Sequence, residues 1–365
     1  MTNIRERNLH LAMYFLMESI DPNKGGSRAY YSRLYNPFFG WSRMYPETTG
    51  YIIPTFLTYG KKFEKETVIN KAIEMADWLL SIQFDDGSFP GGLFKKSTMK
   101  KSIFNSSQII LGLVNIYNET KDEKYLESSI KCANWIVKNQ NNDGSWLEYN
   151  YKNNYTPSYY TRAVWPLLIV WELNGDDKLM DAAVKTLELI YKRELKNGFI
   201  EHSGFERNSY AFIHTIAYVI RGFFEASQIL DNDAYGDMSI EWSKVFLRKF
   251  EINGKLPGAY FDNYKKIDYF ECLTGYCQLA IIWLKIFNKI NDPRFVNGAI
   301  KAIDRVSKFV PRYSFLKKKG GVPGSYPFYG RYMMFRQPNW ATKFFIDAIL
   351  LEKDILNKIE NKLSL

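Results

Sequence analysis

Three cysteines and three histidines in 365 residues leave the chain little with which to bind a metal or staple itself covalently. Cys132, Cys272 and Cys277 are an odd number at spacings that match no zinc or redox motif, so a disulfide scaffold is not expected and a reducing cytoplasm is their simplest home. No run of eighteen apolar residues occurs, which argues against an integral membrane segment. The segment Met1 to Glu18 carries Arg5, Glu6, Arg7 and His10 within an apolar pattern and has no small-residue cleavage site. It reads as an amphipathic helix, not a signal peptide. A nucleotide-binding glycine fingerprint is missing too, and neither cofactor nor metal is expected.

Aromatic residues, by contrast, are abundant. They make up 17% of the chain, as 26 Tyr, 26 Phe and 9 Trp, beside a net charge of +10, and the 46% hydrophobic content is enough for a large core. Aromatic faces combined with Arg and Lys suit sugars, nucleotides or anionic polymers. Phosphate-backbone binding needs clustered cations, yet only Lys95-Lys96 and Lys317-Lys318-Lys319 stand together, so nucleic acid is not an expected partner.

A small-residue turn recurs through the chain, anchored at Gly26, Gly87, Gly144, Gly198, Gly254 and Gly321, at intervals of 61, 57, 54, 56 and 67 residues. Each interval holds a Tyr- and Asn-rich loop, a helix apolar nearly all round, a short turn, and an amphipathic helix of period near 3.6. The apolar helices are expected at about Glu47–Phe63, Ile103–Thr120, Tyr159–Asn174, Tyr210–Leu230, Asp268–Ile290 and Asn339–Leu356. The amphipathic set falls at about Arg5–Ile20, Glu64–Gln83, Asp122–Asn139, Asp177–Glu194, Asn232–Phe250 and Asp292–Val310. Six hairpins alternating in this way imply an all-α (α/α)6 toroid, a single domain over residues 1–365 with an inner and an outer ring and short β-like loops at one funnel mouth. An open solenoid would leave the apolar last helix, NWATKFFIDAILL, uncovered.

WLLSIQFDDGSF and WIVKNQNNDGSW resemble the Q-x-x-D-G-S-W element of terpenoid-cyclase and prenyltransferase toroids. The element is structural: Gln83 and Gln140 satisfy free carbonyls, Asp-Gly makes a left-handed turn, and the aromatic at 89 or 146 packs beneath it. Asp85-Asp86 and Asp176-Asp177 do not complete a cyclase acid motif or a magnesium motif, so isoprenoid chemistry is a minor alternative. FIHTIAYVIRGFFEA and QPNWATKFFIDAILL resemble VpsJ-like surface-polysaccharide biosynthesis proteins. The same toroid serves six-hairpin glycosidases, polysaccharide lyases and glucuronyl C5-epimerases. The resemblance therefore implies a glycan substrate, with possible contact to a lipid-linked sugar or glycan-assembly machinery, and leaves the reaction open.

Long loops precede the apolar helices, so those loops and the helix N-termini should form one mouth, with polar interruptions marking a wet lumen. One stripe is Tyr210, His214, Tyr218, Arg221 and Glu225; others include Glu47 and Tyr51, Arg162 and Trp165, and Asn339, Lys343 and Asp347. Arg221–Glu225 and Lys343–Asp347 would alternatively be internal i,i+4 pairs. His214 is either a general acid or base or a core histidine bonded to Tyr210 or Tyr218. Trp41, Trp146, Tyr159 and Trp340 offer stacking surfaces, while Arg43, Arg162, Arg207 and Arg331 suit a uronate carboxylate or a phosphate. Asn105, Gln108, Tyr218, Asn339 and Lys343 complete the expected binding set.

Two reaction classes follow. Proton abstraction at C5 of a uronate, by an epimerase or lyase, would draw on Tyr210, His214, Tyr160, Arg162 and Asn339. A glycoside hydrolase would need paired carboxyl groups, for which Glu47, Asp268 and Glu271 are the candidates. The richness of the loops in Tyr and Arg favours the first class, and a non-catalytic glycan-binding protein is the remaining alternative.

Overall fold

The computed structural model describes residues 2–363 and contains, over that range, twelve α-helices. In chain order these are α1 (Thr2–Ser19), α2 (Pro46–Lys62), α3 (Glu66–Ser81), α4 (Ile103–Thr120), α5 (Glu123–Lys138), α6 (Thr161–Asn174), α7 (Asp177–Tyr191), α8 (Ile213–Ile229), α9 (Asp233–Asn253), α10 (Leu273–Ile290), α11 (Pro293–Ser307) and α12 (Asn339–Leu363). The even-numbered helices pack each against the next, and α12 returns to α2, closing an inner ring; each also carries an odd-numbered helix outside it. This is the (α/α)6 toroid. Among the described residues no helix is long and apolar enough to cross a membrane.

Closure is held at several levels. Arg5 of α1 reaches Asp304 of α11 at 2.6 Å and pairs with Glu352 of α12, while Asn8 donates to the Ser307 carbonyl at 3.0 Å. Strand Tyr30–Tyr31 pairs with Gln337–Pro338, and Asn339 donates to Ser27 Oγ at 2.7 Å. Inner helices approach closely through glycine: a Cβ on Gly112 of α4 would stand 2.3 Å from the Gly50 carbonyl of α2.

The repeated turns behave as their residues dictate. Asp143 accepts from both the amide and hydroxyl of Ser145, Gly144 takes φ +85°, and Gln140 donates to the Ala182 carbonyl of the next outer helix at 2.8 Å. Gln83 does the same at 3.0 Å to Ser128. Phe89 and Trp146 fill the space below. The turn therefore clamps consecutive outer helices. At two inner helices the expected start is too early, because strand pairing takes the residues first: Ala211–Phe212 pairs with Ala259–Tyr260, and Glu271–Cys272 with Ser325–Tyr326.

Candidate functional site

Aromatic side chains from all six inner-helix starts meet around the long-loop mouth. Phe104 of α4 contacts Tyr159 at 5.2 Å between ring centroids, Tyr159 contacts Phe205 at 5.7 Å, and Phe205 contacts Phe212 at 6.0 Å. Phe212 meets Tyr332 at 5.0 Å and Phe270 at 6.1 Å. The indole of Trp340 donates to Tyr332 Oη at 2.8 Å and packs on Tyr45 at 6.3 Å, and the Asn105 amide donates to Tyr45 Oη at 3.3 Å, returning the circle to α4. At about 0.5–1.5 kcal/mol for each aromatic pair beyond its buried area, such a collar is a rigid frame. Tyr45, Phe104, Phe205 and Trp340 remain partly exposed.

Glu47, in the first turn of α2, lies inside this collar and is 7% exposed. Tyr45 Oη donates to its carboxylate at 2.6 Å, and the Asn105 amide donates to the same oxygen. Burial raises its pKa to about 7, against the opposing pull of Tyr45, Arg162 and Asn105. A carboxyl group half-protonated near neutral pH can both accept and return a proton. Burial and the neighbouring Glu47 charge keep the Tyr45 hydroxyl protonated, well above its usual range.

Below Glu47 a septum divides the lumen. Tyr218 packs on Phe104 at 5.8 Å, on His214 at 4.5 Å and on Phe344 at 6.2 Å, with the Arg162 guanidinium 4.6 Å from its ring centroid. Tyr51 stacks on Phe344 at 6.0 Å. Beyond the septum lies a cavity of about 280 Å³ reaching Thr58, Asn115 and Asp354, which are exposed or half-buried on the C-terminal halves of α2, α4 and α12. It opens at the short-turn face, opposite the mouth where the lumen was expected to open.

The structure separates the expected site residues. Glu47, Asn105, Tyr159, Tyr218 and Trp340 gather at the collar or directly beneath it. Arg331 is exposed, with its guanidinium 4.9 Å from the Tyr210 ring at the rim; Tyr210 precedes α8 instead of lying on it. Lys343 pairs with Asp347 and lines the cavity with Arg162. Gln108 donates to the Arg162 carbonyl at 3.2 Å.

Several expectations need correction. His214 bonds Gln278 at 2.9 Å, not a tyrosine, and burial pushes its pKa down to about 3, so it stays neutral and is a weak base. Glu271 faces away from the lumen: Arg305 of α11 grips both its oxygens and Tyr276 Oη donates to it at 2.7 Å. Asp268 is exposed and pairs with Lys266 at 2.7 Å; with Glu271 it borders a side pocket of about 270 Å³, and neither shares a partner with Glu47. Trp146 is fully buried with its indole on the Ile136 carbonyl at 2.9 Å, and Tyr160 is buried with its hydroxyl on Asn150 at 2.5 Å. Both are packing residues. Asn339 closes the ring, Trp41 packs between Phe15 and Tyr31, and Arg43 and Arg207 are exposed away from the Glu47 contacts, Arg207 donating to the Asn154 carbonyl at 3.3 Å. Phe104 and Phe212 escaped the sequence reading because phenylalanine at an apolar helix start looks like core, and Phe205 because it stands in the loop before α8.

The model of the ulvan lyase N-terminal domain family matches residues 72–157. No curated protein sequence matches the chain. Among solved structures, a cellobiose 2-epimerase from Bacillus thermoamylovorans is similar at 14% identity and TM-score 0.73, over 96% of this chain and 99% of that one. An unsaturated glucuronyl hydrolase from Bacillus sp. GL1, described as responsible for glycosaminoglycan degradation, is similar at 13% identity and TM-score 0.72, over 95% and 96%. A Clostridium perfringens protein described as an alpha-amylase gives 15% identity and TM-score 0.69, over 94% and 97%. At these identities, what the chain shares with all three is the complete (α/α)6 toroid.

Proposed function

We propose that this chain is a carbohydrate-active enzyme that removes the C5 proton of a uronate in an anionic glycan, as an epimerase or lyase. The observation carrying this reading is Glu47: one carboxyl group with a pKa near 7, hydrogen-bonded to Tyr45 and Asn105, at the floor of an aromatic collar. The match to a lyase-family model over residues 72–157 supports the class.

On this reading the sugar stacks against Trp340, Tyr45 and Phe104. The Glu47 carboxylate accepts the C5 proton, and the C5–H electron pair moves into the substrate carboxylate, where Asn105 and the positive field of Arg162 oppose the added charge. In elimination that pair returns to form the C4–C5 double bond and expels the C4 oxygen. Tyr45 gives its proton to that oxygen and recovers one from Glu47 across their 2.6 Å hydrogen bond. In epimerisation a proton instead reaches the opposite face of C5.

The substrate belongs, we infer, to surface-polysaccharide assembly, as a polymer or a lipid-linked oligosaccharide. The three buried free cysteines fit a cytoplasmic setting. Incubating the protein with uronate glycans in deuterated water tests the reading: deuterium at C5 or unsaturated ends support it, and reducing ends released without either sign move the assignment to hydrolysis.

A further inference from the structure

The cavity at the short-turn face is built of charge as well as apolar wall. Arg162, Arg221, Lys285 and Lys343 line it together with two carboxylates, Asp347 and Asp354. Behind the lining, Glu225 is shared between Arg221 and Lys285, the latter at 2.7 Å, and Lys62 pairs with Asp354. Those two outer charges cancel, leaving the cavity two positive charges in excess. Arg162 is 4% exposed, forms no ion pair among the described residues, and its Nε has no hydrogen-bond partner. Its charge is held between the rings of Tyr218 and Trp165, the latter at 5.4 Å, which stabilise a cation without neutralising it.

Buried cations in excess of their counter-charges are costly unless something occupies the space between them. Burial already lowers the pKa values of Arg162, Lys285 and Lys343, with Arg221 adding to the repulsion at each. A dianion would offset the excess. Ile169, Ile281 and Leu350 form walls that accept a compact body beside the charge, and about 280 Å³ is near the small end of ligand pockets.

We propose that this cavity is a binding site for a phosphoryl group, separated from the aromatic mouth by the Tyr218–Arg162–Phe344 septum. The phosphoryl group could come from free phosphate or from a sugar phosphate; the chemistry recognised is the same.

The test is calorimetric titration of the full chain with inorganic phosphate, glucose 1-phosphate and glucuronate. Saturable one-site binding of either phosphate, weakened at least tenfold in both Arg221→Met and Lys285→Met, supports the site, and the tighter of the two ligands identifies the source. Lys285 is one-third exposed, so its replacement leaves the core intact, and an unchanged thermal midpoint verifies this. Glucuronate, a monoanion, should bind at least tenfold more weakly. The proposal is overturned if neither phosphate binds, if both variants bind as the wild type does, or if Arg331→Met at the mouth abolishes binding while Lys285→Met retains it.

Discussion

Replacing Glu47 by glutamine should abolish turnover and make the protein more stable above neutral pH. The folded-state pKa of Glu47 is about 7 against the usual 4.5 of a solvated glutamate, a difference of about 2.5. At about 1.4 kcal/mol for each tenfold change in proton affinity this corresponds to roughly 3.5 kcal/mol at full titration. Because the folded pKa is raised, the folded protein binds the extra proton, so stability is fully present below pH 4.5 and falls as pH rises through 7. Glutamine keeps the shape and the amide contact but never ionises. The difference between Glu47→Gln and wild type should therefore be near zero at pH 4.5 and reach about 3 kcal/mol in favour of the variant by pH 8. With an unfolding entropy of about 2.1 cal/mol/K per residue over this chain, that is about 4 °C in thermal midpoint. Calorimetric scans of both proteins across this range measure it. A difference that stays constant with pH would refute the reasoning, because Glu47 would then titrate as an ordinary solvated carboxylate.

The other consequences are more local. Tyr45→Phe should lower kcat at least tenfold with little change in KM, since it removes the proton relay and leaves the stacking face; steady-state kinetics decide this. Glu271→Gln should leave activity intact yet cost about 3 kcal/mol or more in urea unfolding, because it strands Arg305 and the Tyr276 hydroxyl. Gly144→Ala should cost at least 2 kcal/mol, since its φ of +85° is foreign to alanine and the added carbon would lie 2.4 Å from the Lys185 carbonyl. His214→Gln should remove a stability loss that wild type suffers between pH 6.5 and 3, where its depressed folded pKa makes protonation favour the unfolded chain.

The architecture was legible because it repeats. Six Gly-anchored turns set the period, and the contrast between Ile103–Thr120, apolar on most faces, and the charged outer surface of α3 distinguished inner ring from outer. Helix starts at α8 and α10 were less legible, since nothing local announces that Phe212 or Glu271 will pair with a strand more than forty residues away. Luminal polarity was readable too: Arg162, Tyr218, Arg221 and Lys343 all project inward as their spacing requires. Direction was not. Tyr218 and Phe344 meet across the lumen from positions 126 residues apart, and that contact turns one expected funnel into a closed collar above and a cationic cavity below. The pairing of Glu271 with Arg305, which turns its carboxylate toward α11, is a contact between neighbouring helices that composition cannot reveal.

Solvent-exchange analysis of a uronate glycan treated with wild type and with Glu47→Gln tests the central claim most directly. The account predicts C5 deuterium or C4–C5 unsaturation with wild type, and neither with the variant even though it remains folded. Wild-type levels of either product in the Glu47→Gln reaction, or release of reducing ends with C5 hydrogen retained throughout, would contradict it.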